Sequence, residues 1–292
     1  MSKDVYILAV SQISVQEPLT LDWLDDPLRP SGRYAPCREP DFRPFFTPMQ
    51  ARRMGPLFKR AAAVSRKVVE EAGTGCPEGI FTGAGLGCIA NTWDFLESMC
   101  TAGEEALSPT LFMQSTHNTV GSMIAMDAGC HGYNCTYSQD GISFESAMLD
   151  AFLQIRGGMI GNALAGVHEE LPERLAAFVG KGAGGPCEYP LSEGSAALML
   201  SGSVPEGKKA MCRLSDVRIL HRPSNLDEVV SAYGASSVLG NDFFYSLFGR
   251  SFCSSGLGAC AAAGMVASGR VPSVLLVNVS GPDAGLVFLE KA

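Results

Sequence analysis

No run of apolar residues in this 292-residue chain approaches the length of a membrane span. The apolar stretch at the start, Val5 to Val10, follows Lys3-Asp4 directly and is too short for the core of a secretory leader. Basic residues are outnumbered, 22 against 30 acidic, for a net charge of −8. That balance argues against a nucleic-acid partner, which needs a basic face. The ten cysteines lie at 37, 76, 88, 100, 130, 135, 187, 212, 253 and 260. None form a Cys-x-x-Cys pair, which excludes the usual zinc frameworks. Without an export signal they are expected to be reduced, buried thiols of a cytoplasmic protein. What remains is 46% hydrophobic and 18% charged, the composition of an ordinary globular chain able to bury one large core or two smaller ones.

The order of elements is legible from periodicity and from glycine and proline. Val5 to Val10 reads as a buried strand, and residues 16–48 as a long irregular segment. Pro48 opens an amphipathic helix through Met54, Leu57, Phe58, Ala61, Val64 and Val68 to Ala72-Gly73, with Pro56 placed to kink or divide it. Gly79 to Gly87 is a strand ending in a glycine cluster. Its Gly-x-Gly-x-Gly lacks the dinucleotide spacing, so nucleotide binding is rejected. A helix is expected from Asn118 to Ala128, and Met113, Met123 and Met126 read as core gap-fillers. His117, His131 and the run His168-Glu169-Glu170 read as structural. Gly180 to Gly185 reads as a glycine-rich loop, 203–209 as a linker, and Met211 to Leu220 as an alternating strand with one solvated face.

One stretch stands apart. Gly132 to Ser138 is a short strand that passes through Gln139-Asp140-Gly141 straight into a helix. Phe144, Met148, Ala151, Phe152 and Ile155 recur at intervals of three and four, and Gly157-Gly158 closes the helix. Asp140 is suited to cap its first turn. Such a turn is where a thiolate nucleophile gains most from the helix N-terminus. Here the turn carries Gly141, which has no side chain.

The segment Gly132–Met148 resembles, without a gap, the nucleophile segment of the β-ketoacyl synthases, with Gly141 at the position of the catalytic cysteine. Pro190–Leu200 resembles the family's Ser-Glu-Gly-Ala-Gly strand. Ser231–Gly240 resembles its His-Gly-Thr segment with Tyr233 at the first histidine position. Arg250–Ala259 resembles its Lys-x-x-x-Gly-His-Ser-Leu-Gly-Ala, with Arg250 for the lysine and Ser255 for the second histidine. The resemblance implies a thiolase-like α/β layered sandwich of two related α/β halves. The first, 1–202, carries the Gly141 turn, and the second, 210–292, is shortened after Leu220.

It also implies a condensing chemistry whose three working positions are all substituted. A glycine cannot be acylated. Tyr233 and Ser255 differ from histidine in size and in what they donate. The expected function is a non-catalytic ketosynthase-like subunit of the chain length factor type, from an aryl-polyene-like or fatty-acid-like pathway. It would pair with an active ketosynthase through Tyr133–Ser138. Phe112, Met113, Tyr133, Cys135, Tyr137, Phe144 and Phe152 are candidates for channel or interface lining, and plain core is the competing reading for the phenylalanines. Two other readings stand beside it. One is an active acyltransferase with Cys135 or Cys253 as a displaced nucleophile, although neither is expected at a helix N-terminus. The other is a homodimeric acyl-binding protein. No cofactor and no metal are implied. The basic run Arg52, Arg53, Lys59, Arg60, Arg66 and Lys67 reads first as a solvated helix face, and second as a docking surface for an acidic acyl carrier protein.

Overall fold

The computed structural model describes residues 3–104, 107–182 and 188–292. In chain order the first portion runs β1 (Tyr6–Ile13), β2 (Tyr34–Ala35), α1 (Pro48–Arg53), α2 (Pro56–Ala72), β3 (Gly79–Gly83), α3 (Ile89–Ala102), α4 (Pro109–Met113), α5 (Thr119–Ala128), β4 (Tyr133–Tyr137), α6 (Ser143–Arg156), β5 (Asn162–Glu169), α7 (Glu173–Gly182), β6 (Leu191–Ser192) and β7 (Gly194–Ser201). The second runs β8 (Cys212–His221), α8 (Leu226–Ala232), β9 (Ser237–Leu239), α9 (Asn241–Phe248), α10 (Ser254–Ala267), β10 (Ser273–Ser280) and β11 (Asp283–Glu290). Residues 183–185 of the expected glycine-rich loop lie outside the described residues.

Pro56 divides the expected long helix in two. Thr47 and Gln50 form a capping box that starts α1, Met54 and Gly55 are extended, and Pro56 opens α2 where its missing N–H costs nothing. Gly73, in the left-handed region at φ 68°, closes α2.

Nine strands form one ladder in the order β4-β3-β5-β7-β1-β8-β11-β10-β9. β3 pairs in parallel with β4 and β5, and β10 with β9; the other neighbours are antiparallel. The ladder is thin at one place. β1 and β8 pair only through Tyr6 with Arg213 and Ile7 with Cys212. Around that junction the two portions fold onto each other, with α6 and α10 between them. Phe144, Met148 and Phe152 of α6 share one core with Ala163, Ala165 and Val167 of β5 and with Leu214, Val217, Val287 and Leu289 of β8 and β11. From Ser254 to Gly264, α10 is built of Gly, Ala, Ser and Cys around Leu257, and every one of those residues is buried. Small side chains let both sheets approach it closely. Outside, α2 and α5 cover β1, β3, β5 and β7 through Leu57, Phe58, Val64, Val68, Val120 and Ile124. On the opposite side only α8, seven residues long, spans β8 to β9, packing with Tyr233 on Leu275, Val277 and Leu286.

The candidate functional site

The turn after β4 is held by serines. Gln139 donates its backbone N–H to Ser143 Oγ at 2.8 Å, and that hydroxyl donates to the Asp140 carbonyl at 2.7 Å. Ser146 Oγ donates to Gln139 Oε1 and to the Ile142 carbonyl. The expected cap by the Asp140 carboxylate is not made, and α6 starts without a side-chain cap; Asp140 is exposed, and its backbone carries the bend at φ 48°. That left-handed conformation suits Asp better than most residues. Gly141 is needed for space. A Cβ added there would lie 2.5 Å from Ser280 Oγ and 2.8 Å from Ser280 Cβ. The volume a cysteine side chain would need is filled by the end of β10.

A polar network locks the turn from below. Asn278 Nδ2 donates to the Gly141 carbonyl at 2.6 Å and to Glu145 Oε1 at 3.0 Å. Asn241, the first residue of α9, donates to Asn278 Oδ1 (3.3 Å), to the Val279 carbonyl (3.0 Å) and to Tyr245 Oη (2.9 Å), and accepts the Val279 N–H at 2.8 Å. Glu145 is buried one turn into α6, with Ser255 of α10 beside it. Burial pushes its carboxyl up to about 7, against the hydrogen bond from Asn278.

The glycine cluster after β3 serves the chain itself. The backbone N–H groups of Gly85, Leu86 and Gly87 all point at the Glu169 carboxylate, with Leu86 and Gly87 at 2.9 and 3.0 Å. A nest that could cradle a phosphate is occupied by a side chain. Burial pushes Glu169 up to about 7 despite those donors. Glu170 takes the Ala90 N–H at 3.0 Å. The structural reading of His168-Glu169-Glu170 holds.

Between the two portions lies a cavity of about 170 Å³, walled by Leu86, Leu171, Val179, Leu191, Tyr245 and Phe252, with Arg250 and Glu169 among its polar groups. Its size is that of a cavity that holds a benzene-sized molecule, far short of an extended acyl chain. Phe252 and Ser280 also line a separate groove with Gln139 and Asp140, so these two side chains stand between the cavity and the groove at the turn.

Of the residues singled out from the sequence, the structure brings Gly141 and Ser255 to this network and Arg250 to the adjoining cavity. Tyr233 is placed elsewhere. It ends α8, donates to Asp216 Oδ2 at 2.7 Å and packs against Phe288. Its neighbours Leu275 and Val277 face outward, whereas Asn278 faces the turn from the opposite side of β10. The residue that follows β9 and reaches the network is Asn241. Cys253 does sit at a helix N-terminus, as the N-cap of α10, contrary to the sequence expectation. It is fully buried, and burial drives its thiol well above the ordinary range. Cys135 is half-buried on β4. Its neighbours Tyr133 and Tyr137 both donate to Asp150, at 3.0 and 2.7 Å. Phe144 and Phe152, expected as lining residues, are enclosed in the core between the sheets, while Phe112 and Met113 are 58% and 62% exposed on α4. Sequence reasoning missed Ser280, Phe252, Asn241, Asn278 and Glu145. Two carried a signal: Asn278 interrupts the apolar inward row of β10, and Glu145 interrupts the buried face of α6.

The model for the N-terminal domain of β-ketoacyl synthases matches residues 22–221. The chain belongs to the β-ketoacyl synthase family. No curated protein sequence matches it. Among solved structures, this ketosynthase-family chain is similar to the AntDE–AntF complex, a type II polyketide synthase acyl-carrier protein with its ketosynthase bound to the hexaketide (TM-score 0.86, 13% identity, 100% of both chains covered). It is similar to the ishigamide ketosynthase/chain length factor (0.83, 14%, 100% of both). A β-ketoacyl synthase from Burkholderia phymatum follows (0.79, 13%, 99% of this chain and 100% of that one). At such identities the likeness establishes the fold, which is the thiolase-like layered sandwich expected from the sequence. Among the described residues no helix is long and apolar enough to cross a membrane.

Proposed function

We propose that this chain is a non-catalytic ketosynthase-like subunit of the chain length factor type, paired with an active ketosynthase in polyketide or fatty-acid-like chain elongation in the cytoplasm. The observation that carries this reading is the closure of the turn at Gly141. The position has no nucleophile, its side-chain space is taken by Ser280, and its carbonyl is held by Asn278. The displaced-nucleophile reading loses its best candidate, because Cys253 is sealed in the core with a raised thiol pKa.

Pairing is supported by the edge of the sheet. β4 is its terminal strand, and its free edge is an invitation to another chain. Large apolar side chains are exposed on α4, α5 and α6: Phe112, Met113, Met126 and Leu153, with Tyr133 on the strand itself. Such exposure marks an interaction surface. Arg52 and Arg53 end α1 at the surface with no acidic partner among the described residues, and they suit an acidic carrier protein.

The test is intact mass after incubation with a short acyl-pantetheine thioester, beside an active ketosynthase, together with the native mass of the complex it forms. No adduct and a heterodimer with a ketosynthase are expected. A stoichiometric adduct lost on mutating one cysteine would overturn the non-catalytic reading. A stable homodimer that excludes the ketosynthase would overturn the pairing.

A further inference from the structure

The segments leading into β3 and β4 run side by side in register. Gly79 pairs with Tyr133, and the pairing continues backwards: the Tyr133 N–H donates to the Glu78 carbonyl at 3.2 Å, and a Cβ on Gly132 would meet that same carbonyl oxygen at 2.1 Å. Three residues before Gly79 is Cys76, and three before Tyr133 is Cys130. Each follows a helix closed by a left-handed glycine, Gly73 after α2 and Gly129 after α5, so both connections are short and fixed. Neighbouring strands lie about 4.8 Å apart, inside the roughly 4.4–6.8 Å Cα spacing that a disulfide spans. In this structure the Cys76 thiol donates to the Pro77 carbonyl at 3.5 Å. Cys76 is exposed and Cys130 is buried behind it.

We propose that Cys76 and Cys130 form a reversible intramolecular disulfide by exchange with a small-molecule disulfide of the glutathione type, Cys76 attacking and Cys130 resolving. In the first step the Cys76 thiolate, its proton released to water, attacks one sulfur of the small disulfide. The Cys76–glutathione bond forms, the small disulfide's S–S bond breaks, and one glutathione leaves as thiolate and takes up a proton. In the second step the Cys130 thiolate attacks the Cys76 sulfur, the protein disulfide forms, and the second glutathione leaves in the same way. The protein dithiol is oxidised by two electrons and the small disulfide is reduced by two. The bond anchors the start of the edge strand β4 to β3 inside the sheet. Burial and the neighbouring Cys130 both raise the Cys76 thiol, so exchange accelerates as the pH rises.

The experiment uses the full chain carrying Cys100→Ser, which removes the other thiol exposed among the described residues, and Cys187→Ser, at a position outside them. The protein is treated with oxidised glutathione, its free thiols are counted, and it is mapped without reduction after cleavage at glutamate, which separates Cys76 from Cys130. The expected result is the loss of two thiols per chain with no glutathione retained, and a linked peptide pair containing Cys76 and Cys130. Cys130→Ser and Cys130→Ala should each trap one glutathione on Cys76, and Cys76→Ser should leave Cys130 unmodified. Glutathione retained on Cys76 of the parent chain, linkage between two chains through Cys76, or an unreacted Cys76 would each overturn the proposal.

Discussion

Placing a cysteine at position 141, where the sequence resemblance puts the family's nucleophile, should damage this protein rather than activate it. In Gly141→Cys the new Cβ falls 2.5 Å from Ser280 Oγ and 2.8 Å from Ser280 Cβ, well inside van der Waals contact. Ser280 ends β10, two residues after Asn278, whose amide holds the Gly141 carbonyl at 2.6 Å. Rotating the Ser280 hydroxyl away would still leave its Cβ, fixed by the β10 backbone, at 2.8 Å. Forcing extra atoms into such a site costs about 1–3 kcal/mol. At about 2.1 cal/mol/K per residue the unfolding entropy of a 292-residue chain is about 0.6 kcal/mol/K, so the melting temperature should fall by about 2–5 °C. Scanning calorimetry measures the fall, and intact mass after exposure to a short acyl-pantetheine thioester measures acylation, which should be absent. Ser280→Gly in the same chain removes the obstructing atoms and should return most of the lost stability, a non-additivity that identifies the contact as the cause. A single Gly141→Cys variant that melts with the parent and takes up one acyl group per chain would refute the closed turn.

Glu145 ionises near 4.5 in the unfolded chain and at about 7 in the folded one. Between those values the unfolded state has lost a proton that the folded state keeps, so this group's contribution is full below about 4.5, declines as the pH rises, and levels off above about 7. Glu145→Gln keeps an oxygen for Asn278 and removes the titration; its melting temperature should fall less than the parent's between pH 5 and pH 7, and an unchanged slope would exclude Glu145 as the source. Asn278→Ala leaves the Gly141 carbonyl and Glu145 Oε1 without their donor and should cost about 2 kcal/mol or more in urea unfolding; a change below about 0.5 kcal/mol would mean the network is not holding the turn. Phe112→Ser with Met113→Glu alters two exposed side chains and should leave monomer stability within about 0.5 kcal/mol, while abolishing co-purification with a ketosynthase; retained pairing would move the interface away from α4.

Local signals carried much of this structure. Pro56 divided a helix whose apolar period ran straight through it, and Gly141 was conspicuous because the turn it occupies is defined by its neighbours. The Gly83–Gly87 run could be denied a nucleotide from its spacing, but its occupant could not be found, because Glu169 comes from the end of another strand. Distance in sequence hid the rest. The partner of the Gly141 carbonyl is 137 positions away. Tyr233 was matched to the family's first histidine by the resemblance of Ser231–Gly240 to the His-Gly-Thr segment. The strand that matters, β9, is three residues long, too short for any period to show, and it delivers Asn241 instead. Cys253 was not expected at a helix N-terminus because a helix whose first eleven residues are all small but Leu257 has no apolar stripe to announce where it starts.

The contact between Ser280 and Gly141 bears on how such a protein can change over generations. A cysteine at 141 gains nothing while Ser280 fills its place, and losing Ser280 first returns no chemistry, since Asn278 still grips the turn and no histidine waits at Asn241 or Ser255. On the proposed reading, each single substitution toward condensation is silent or harmful, and the turn acts as a ratchet: the Ser280 contact and the Asn278 hydrogen bond would both have to change before a nucleophile at 141 could work.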